Sequence, residues 1–526
     1  MNKKSAPRAA AVIEIGSNNV RMRVSQWAKG TVATLDRLEY PVSLGHDVFS
    51  SGDISFDSLR ELSSVLSKFT AALRSYNIEK PKVISCTALR EAKNRALVVD
   101  QLKVRNGLEV TVLEDSQEKA YIYKEVMERL DGAKLHPGNT MIAYVGSGSI
   151  GVAVYDGQKI IYTQNISMGA LKLHDVLRHL HHQEADDFYY IIEEYLDTIL
   201  NRIAISRFQV KNLVLTGSQL ELVAQLCEAK KAGIPYQISV KKLTSLYQSI
   251  RSATAESIAN RFNITEERAA LLYTSLSIYN GMLRFCPQAE NVISPPVDIS
   301  EAMLRYQLVP KADATLGTYL RESALACAQT TAQSFGCNLE HSAHTGEIAC
   351  QIFDKLKKVH GVDSSKRLIL ELASTLHSCG SFVNVRQHNQ CTFDLIKGMD
   401  IFGLRQREVL ETAFVAGSIS NNLTTEENPN FAWLPMEERI VISKLAAIFR
   451  LANALDKSHR HKLRDLKIHL EDDQVLFKAK AAENTLLERW AFAESAQYFK
   501  EVFGLSPGLA TKFPRISGAP PGRSKK

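Results

Sequence analysis

Two turns rich in glycine and serine constrain the fold of this chain more than any other feature. The first, Gly-Ser-Asn-Asn at residues 16–19, lies between the apolar run 9–15 and the strand-like run 20–24. The second, Gly-Ser-Gly-Ser at 146–149, again has an apolar run on each side. Glycine lets the backbone approach a ligand closely, and main-chain N–H groups with small polar side chains bind anionic oxygens. The pair predicts a duplicated α/β domain that holds a phosphate between its halves.

Length and composition limit the possible classes of protein. The 526 residues suffice for about three or four domains. The net charge of +7 is small for this length, which gives no argument for specific nucleic-acid binding and suits an anionic ligand. Eight cysteines without a Cys-x-x-Cys pair indicate free thiols in a reducing compartment. We see no signal peptide and no apolar run of membrane-span length, so we expect a cytoplasmic protein without membrane contact.

Changes in sequence pattern predict five segments. A turn-rich connection near 132–138 separates two α/β lobes, and from about residue 316 apolar residues recur only at helical spacing, which indicates an all-α domain. The expected segments are a first lobe at 1–134 with hairpin 14–21, a second lobe at 135–312 with hairpin 144–151, a helical domain at 313–470, a small α/β segment at 471–508 and a disordered basic tail at 509–526.

Further polar residues follow predicted strands. The run 83–87 predicts a short strand that leads into a helix, which Thr87 could cap. Arg90 would then lie in the first helical turn, near an anion in the cleft. Gly217 and Ser218 follow another strand and form a third loop suited to phosphate or base contact.

The order of these motifs resembles the exopolyphosphatase and guanosine pentaphosphate phosphohydrolase (Ppx/GppA) family. The motifs are the 16–19 turn with Arg21, Thr-Ala-Leu-Arg-Glu-Ala-Lys-Asn from Thr87, the 146–149 turn and Ser-Met-Gly-Ala-Leu-Lys-Leu at 167–173. The resemblance implies duplicated actin- and acetate-kinase-like (ribonuclease H-like) lobes followed by an HD-like helical domain. It also implies removal of the terminal phosphate of inorganic polyphosphate or pppGpp, usually with Mg²⁺.

The resemblance also supplies candidate site residues. Glu14 stands where the family usually has aspartate. The expected phosphate-binding residues, including the third loop, are Gly16, Ser17, Asn18, Arg21, Thr87, Arg90, Gly146, Ser147, Gly148, Ser149, Gly217 and Ser218.

Two departures from the family pattern affect positions that the resemblance assigns to catalysis. Lys119 occupies the position of the catalytic base, and Tyr144 replaces the acid before the second turn. Glu118 keeps a neighbouring acid, but on a helix it points about 100° away from position 119. A lysine in place of a general base should cost about 10²–10⁴-fold in rate. Tyrosine is a weak ligand for magnesium compared with a carboxylate, which argues against the implied Mg²⁺.

The helical domain departs from the HD pattern in the same way. His341 and His377 match its histidines, but Ser378, Cys391 and Asn453 replace the other expected ligands. We therefore expect no metal in this domain and interpret the two histidines as hydrogen-bonded core residues. Its expected role is dimerisation or framing a groove for a long anion.

Two functions compete. The first is a phosphohydrolase with altered and impaired chemistry that uses Glu118 and Glu14. The second is a catalytically inactive regulatory protein that binds polyphosphate or guanosine tetra- or pentaphosphate. A sugar or acetate kinase is a weaker third hypothesis, because the motifs belong to the phosphatase family. We expect a homodimer in either case.

Overall fold

The computed structural model of the chain supports a description of most of its length. The described residues are 8–130, 135–178, 188–229, 235–419 and 423–512.

The chain divides into two compact units. The first comprises residues up to Ser323 together with Phe402–Arg405, and the second comprises the remainder. The structure thus moves the boundary predicted at 312/313 to Ser323. One continuous helix, Ala312–Ser334, runs across both positions, so the chain has no linker at 312.

The first sheet has five strands. They are β1 Arg8–Ile15, β2 Asn19–Ala28, β3 Thr31–Pro41, β4 Lys82–Ser85 and β5 Val110–Val112. Their spatial order is β3-β2-β1-β4-β5. The first three strands pair antiparallel, whereas β4 runs parallel to β1 and β5 parallel to β4.

The second sheet repeats this arrangement with one additional strand. Its strands are β6 Thr140–Val145, β7 Ile150–Tyr155, β8 Ile160–Ile166, β9 Asn212–Gly217, β10 Tyr236–Ser239 and β11 Asn291–Ser294. The order β8-β7-β6-β9-β11, with β10 added at the edge, reproduces the first sheet strand for strand. The antiparallel and parallel pairs also correspond. This repetition confirms the predicted fold class of two duplicated α/β lobes.

Helices cover the two sheets. In chain order they are α1 Leu44–Ser51, α2 Phe56–Arg74, α3 Thr87–Glu91, α4 Arg95–Asn106, α5 Asp115–Leu130, α6 Ala170–Arg178, α7 Phe188–Leu200, α8 Leu220–Leu226, α9 Val240–Ile250, α10 Ala255–Phe262, α11 Glu266–Met282 and α12 Ile299–Leu308. Helix α2 illustrates the packing: Leu62, Leu66 and Leu73 are buried at helical spacing, while the Ser55 side chain caps its amino end. Each sheet has its own apolar core.

The second unit is mainly helical, as the sequence predicted. Its helices are α13 Ala312–Ser334 (which begins in the first unit), α14 Leu339–Lys355, α15 Lys357–His360, α16 Arg367–Leu376, α17 His388–Lys397, α18 Gln406–Gly417, α19 Pro429–Ala432, α20 Met436–Ala454 and α21 Leu486–Phe503. No helix among the described residues is both long and apolar enough to cross a membrane.

A small sheet follows helix α20 in the chain, with α21 between its second and third strands, and it extends beyond both limits predicted for this segment. Its strands are β12 Leu463–Leu470, β13 Gln474–Ala481 and β14 Ser506–Lys512. The first strand starts before residue 471, and the last enters the segment 509–526 that we expected to be a disordered tail. Residues 506–512 form a strand because they pair in parallel with β13 from Gln474 to Lys480. Residues 513–526 lie outside the described part of the chain.

This correction gives a stability prediction. Val475 and Phe477 on β13 are fully buried. A chain that ends at Gly504 should expose this strand edge and lose about 2 kcal/mol or more, which lowers the melting temperature by about 4–8 °C. A chain that ends at Lys512 keeps the strand and is the matched control. Equal melting temperatures for the two chains, measured by calorimetry, would contradict a structural role for β14.

Candidate functional site at the meeting point of the two sheets

The first glycine turn is a closed hairpin. The N–H of Gly16 donates to the carbonyl of Asn19 at 3.0 Å, and a Cβ at Gly16 would lie 2.8 Å from that oxygen. The carbonyls of Ser17 and Asn18 accept hydrogen bonds from Gly45 and from the segment before α1. Because these contacts fix the backbone, the turn keeps its shape without a ligand.

The Asn18 side chain has a partner in the second lobe. Its amide donates to Oε1 of Glu267, at the start of helix α11, at 3.0 Å. The predicted phosphate contact of this side chain would therefore compete with a hydrogen bond that joins the lobes.

The second glycine turn lies against the first lobe. The N–H of Gly146 donates to the carbonyl of Ser149 at 2.9 Å, and the carbonyls of Gly146 and Ser147 accept from N–H groups at the start of α6. A Cβ at Gly148 would lie only 2.1 Å from Cγ2 of Thr87. The turn needs glycine at this position because the first lobe approaches so closely.

The third predicted loop lies beside the second turn. Gly217 ends β9, which runs parallel to β6, and it is the register partner of Val145. Its φ is +150°, and a Cβ at this position would lie 2.2 Å from the carbonyl oxygen of Val145. Both observations require glycine. The next residue, Ser218, lines the cleft.

A cavity of about 430 Å³ opens between the two sheets and gathers five of the predicted site residues. They are Glu14, Arg21, Tyr144, Gly217 and Ser218. Other charged residues on its wall are Arg23, Arg37, Arg129, Glu221, Asp298 and Glu301.

All four arginines on this wall have a carboxylate within 4.0 Å. Arg23 pairs with Asp298 at 2.8 Å and with Glu301 at 2.9 Å. Arg21 pairs with Glu39 at 3.1 Å and keeps 30% of its side chain exposed. Arg21 is therefore placed both to hold the wall of the cavity and to meet an anion that enters it.

Glu14 is the carboxylate in this cavity that titrates near neutral pH. Burial, and next the negative charge of Asp298, raise its pKa to about 7, although Arg21 opposes the shift. The hydroxyl of Ser300 donates to Glu14 Oε2 at 2.9 Å. A carboxylate with such a pKa can accept a proton from water at physiological pH.

Tyr144 lies at the matching position of the second sheet. Burial, and next the charge of Glu118, raise the pKa of its phenol well above the ordinary value. The phenol therefore stays protonated and can donate a hydrogen bond. Lys119 Nζ lies 5.4 Å from the centre of its ring, a cation–π distance.

Arg90 has more protein partners than the sequence indicated. Its guanidinium donates to Asp115 Oδ1 at 2.8 Å and to Glu118 Oε2 at 3.0 Å, and also to the Thr87 hydroxyl and the Leu113 carbonyl. The arginine that was expected to face an anion is thus held by two carboxylates. Its charge is largely compensated, and its expected contact with an anion in the cleft stays a prediction.

Asp115 is the residue of this site that sequence reasoning missed. It begins helix α5, one turn before Lys119, and its Oδ1 accepts from Lys119 Nζ at 2.6 Å and from the Ser149 hydroxyl at 2.8 Å. Burial alone would raise its pKa, but the charges of Lys119 and Arg90 hold that pKa below the usual range. The i, i+4 spacing of Asp115 and Lys119 was the available signal.

Lys119 is one of the most deeply buried residues in the site. Its side chain is 1% exposed, and Nζ also contacts Ser149 Oγ at 2.5 Å. Glu118 is buried as well, 4% exposed, and faces Arg90 rather than open space. The structure thus places the candidate base position inside an ion-pair network, and Glu118 is committed to that network.

The carboxylates of the site do not fit a divalent cation. Asp115 and Glu118 are bound by Arg90 and Lys119, and Glu14 accepts from Ser300. Magnesium prefers carboxylates whose charge is free to face it. Across the described ranges of the chain, no group of three or more histidine, cysteine, aspartate or glutamate side chains is placed to hold a metal ion.

The two histidines of the helical unit are hydrogen-bonded within its core. His341 Nδ1 lies 2.7 Å from Asp456 Oδ2, and its Nε2 lies 3.3 Å from Asn453 Oδ1. His377 Nδ1 lies 2.7 Å from the carbonyl of Ser374, and burial lowers the pKa of His377 to about 4. A neutral His377 with a backbone partner agrees with the interpretation of these residues as core histidines.

The fold and the cleft define a class of two-lobed α/β proteins in which strand ends of both lobes line one cavity. The sequence model of the Ppx/GppA phosphatase family matches residues 23–305, and that of Ppx/GppA phosphatase domain III matches residues 324–495. The first match alone spans more than half of the 526 residues. This chain belongs to the Ppx/GppA phosphatase family, as its motifs predicted.

Solved structures are similar to this chain over a little more than half of its length. An exopolyphosphatase from Cytophaga hutchinsonii is 17% identical, with a TM-score of 0.51, over 57% of this chain and 97% of that one, and it has the same fold there. The Aquifex aeolicus Ppx/GppA family member is 20% identical, with a TM-score of 0.48, over 58% of this chain and 99% of that one.

The contact between Gly148 and Thr87 gives a test of this meeting point. Gly148→Ala places a methyl group against Thr87 and should destabilise the first unit by about 1–3 kcal/mol through overpacking. Adding Thr87→Ser removes the opposing Cγ2 but keeps the hydroxyl, so the double variant should recover part of the loss. Thermal unfolding of the two variants decides the matter, and equal destabilisation in both would contradict this contact.

Proposed function

We propose that the cleft binds the terminal phosphates of inorganic polyphosphate or pppGpp and that the chain removes the last phosphate slowly. Family membership supports phosphoanhydrides as the substrate class. Strand ends from both lobes border the cleft, at Glu14 and Tyr144, and Arg21 and Arg37 on its wall supply positive charge for a polyanion. Phosphoryl transfer depends mostly on positioning and charge neutralisation, and these elements can provide both.

The single observation that carries the slow rate is the ion pair of Lys119 with Asp115. At the position where the family resemblance implies a base, the side chain is an ammonium 2.6 Å from a carboxylate. A protonated amine cannot take a proton from the attacking water. The loss of that base should reduce the rate by about 10²–10⁴-fold.

Glu14 is the residue we propose for the remaining proton transfer. It lines the cavity, and its pKa of about 7 leaves it half ionised at neutral pH. Glu118, the other acid considered from the sequence, pairs with Arg90 and is a poor proton acceptor. The alternative function is an inactive regulatory protein that binds polyphosphate or guanosine phosphates. The same Lys119–Asp115 pair favours this alternative if Glu14 only shapes the cleft and transfers no proton.

Arg21 provides a binding test. Arg21→Gln should weaken polyphosphate binding by about tenfold, because one charge-assisted contact is worth roughly 1.5 kcal/mol. It should also flatten the salt dependence of the affinity. Arg60→Gln is the matched control, since Arg60 is exposed on helix α2. Calorimetric titrations at two salt concentrations give both quantities, and equal affinities for the two variants would exclude the proposed cleft.

The pH dependence of phosphate release tests Glu14. Because burial raises the pKa of Glu14 to about 7, the ionised base is populated above that pH and protonated below it. Release from long-chain polyphosphate should therefore be slow and should rise with pH through about 7. Glu14→Gln should abolish release and leave binding measurable.

Other outcomes separate the alternatives. Binding without any release by the wild-type chain supports the regulatory protein. Fast release that Glu14→Gln leaves unchanged would contradict both the slow rate and the assigned base.

A further inference from the structure

The space around Lys119 is shaped by a glycine on the neighbouring sheet. A Cβ at Gly151, on strand β7, would lie 2.6 Å from Lys119 Cγ and 2.8 Å from its Cε. The aliphatic part of the lysine thus packs directly over the backbone of the second lobe. No side chain at 151 competes with the ammonium for the centre of the cluster.

The charges in this cluster balance without an external ion. Two carboxylates, Asp115 and Glu118, face two cations, Arg90 and Lys119. All four side chains are buried or nearly so, with at most 21% of a side chain exposed. Buried charges are tolerated when each has a partner and hydrogen bonds, and this group meets both conditions.

A divalent cation at the same place would meet repulsion instead of attraction. It would have to displace either Arg90 or Lys119 from Asp115, or lie a few ångströms from both. Charges at such distances interact strongly where water is excluded. In a metal site, carboxylates compensate the free energy needed to remove water from the ion. Here Asp115 and Glu118 are already neutralised by Lys119 and Arg90.

We propose that Lys119 is a built-in counter-ion that makes this phosphate cleft independent of divalent metal. Its ammonium neutralises Asp115 and holds the Ser149 hydroxyl of the second turn, at 2.6 Å and 2.5 Å. In metal-dependent phosphate sites a bound divalent ion supplies this neutralisation. The part of the proposal that concerns polyphosphate rests on the proposed function, but the part that concerns metal binding does not.

Metal binding by the full chain without polyphosphate is the primary test. Mn²⁺ is titrated into the wild-type chain and into Asp115→Asn, and binding is followed by electron paramagnetic resonance. We expect no stoichiometric Mn²⁺ site in the wild-type chain that is lost in Asp115→Asn. Lys119→Glu should create one, because it removes the ammonium and adds a second carboxylate beside Asp115 at Ser149, and Mg²⁺ should raise the melting temperature of that variant only. Lys68→Glu is the matched control, since Lys68 is exposed and the change in net charge is the same.

The Mn²⁺ titration also gives a result that would overturn the proposal. One Mn²⁺ bound per wild-type chain and lost in Asp115→Asn would show that the cluster is a metal site. An Mn²⁺ ion that persists in Asp115→Asn lies outside the cluster; if Glu14→Gln then removes it, the ion lies in the cleft and the proposal is equally wrong, and if it remains, the proposal stands.

Polyphosphate affinity of the wild-type chain gives a second test that needs no folded variant of Lys119. Replacing Mg²⁺ by EDTA at constant ionic strength should change the affinity by no more than about twofold, whereas loss of a bridging metal would cost about tenfold or more. A tenfold loss overturns the proposal. Absence of binding under both conditions refutes the proposed function, and the Mn²⁺ titration then still decides the role of Lys119.

Discussion

The ion pair between Lys119 and Asp115 is the interaction on which the rest of the cleft depends. Asp115 Oδ1 accepts from three donors, which come from helix α3, helix α5 and the second glycine turn. The carboxylate therefore joins elements of both lobes at one atom. Without it, the ammonium of Lys119 and the guanidinium of Arg90 would be left close together in a buried site, a situation that costs several kcal/mol. The turn at 146–149 takes its position from this network as much as from its glycines.

The sequence predicted those parts of the structure that depend on local chemistry. The 16–19 and 146–149 turns form as expected because glycine at a tight turn and apolar residues in the flanking strands determine a hairpin locally. Helices of the second unit such as α16 follow the helical spacing of apolar residues expected from about residue 316. Strand β14 was missed because Ser-Pro-Gly at 506–508 is typical of a turn, whereas pairing with β13 outweighs that local preference.

The candidate site was predicted less completely, because its contacts join residues distant in sequence. Arg90 was expected near an anion in the cleft, but its partners Asp115 and Glu118 lie 25 and 28 residues further along the chain. The hydrogen bond from Ser300 to Glu14 spans 286 residues and has no local signal. Asp115 escaped notice because the family motif directs attention to positions 118 and 119. The available signal was the i, i+4 spacing of Asp115 and the unexpected Lys119. A lysine that is buried needs a negative charge nearby, and Asp115 is a carboxylate at the right spacing to supply it.

The duplication explains why one lobe contributes an acid and the other a phenol. Glu14 and Tyr144 each precede the last residue of the first strand in their sheets, two residues before the glycine of the turn. Across the antiparallel pair, Glu14 is opposite Arg21 and Tyr144 is opposite Gly151. A cation accompanies both positions, because Arg21 supplies one directly and Lys119 fills the space above Gly151 to supply the other.

The two equivalent positions thus have similar positive charge but different chemistry. Burial leaves Glu14 able to accept a proton near pH 7 and keeps Tyr144 protonated as a donor. An acceptor and a donor that face one cavity from equivalent strands can orient a water and a phosphate oxygen together.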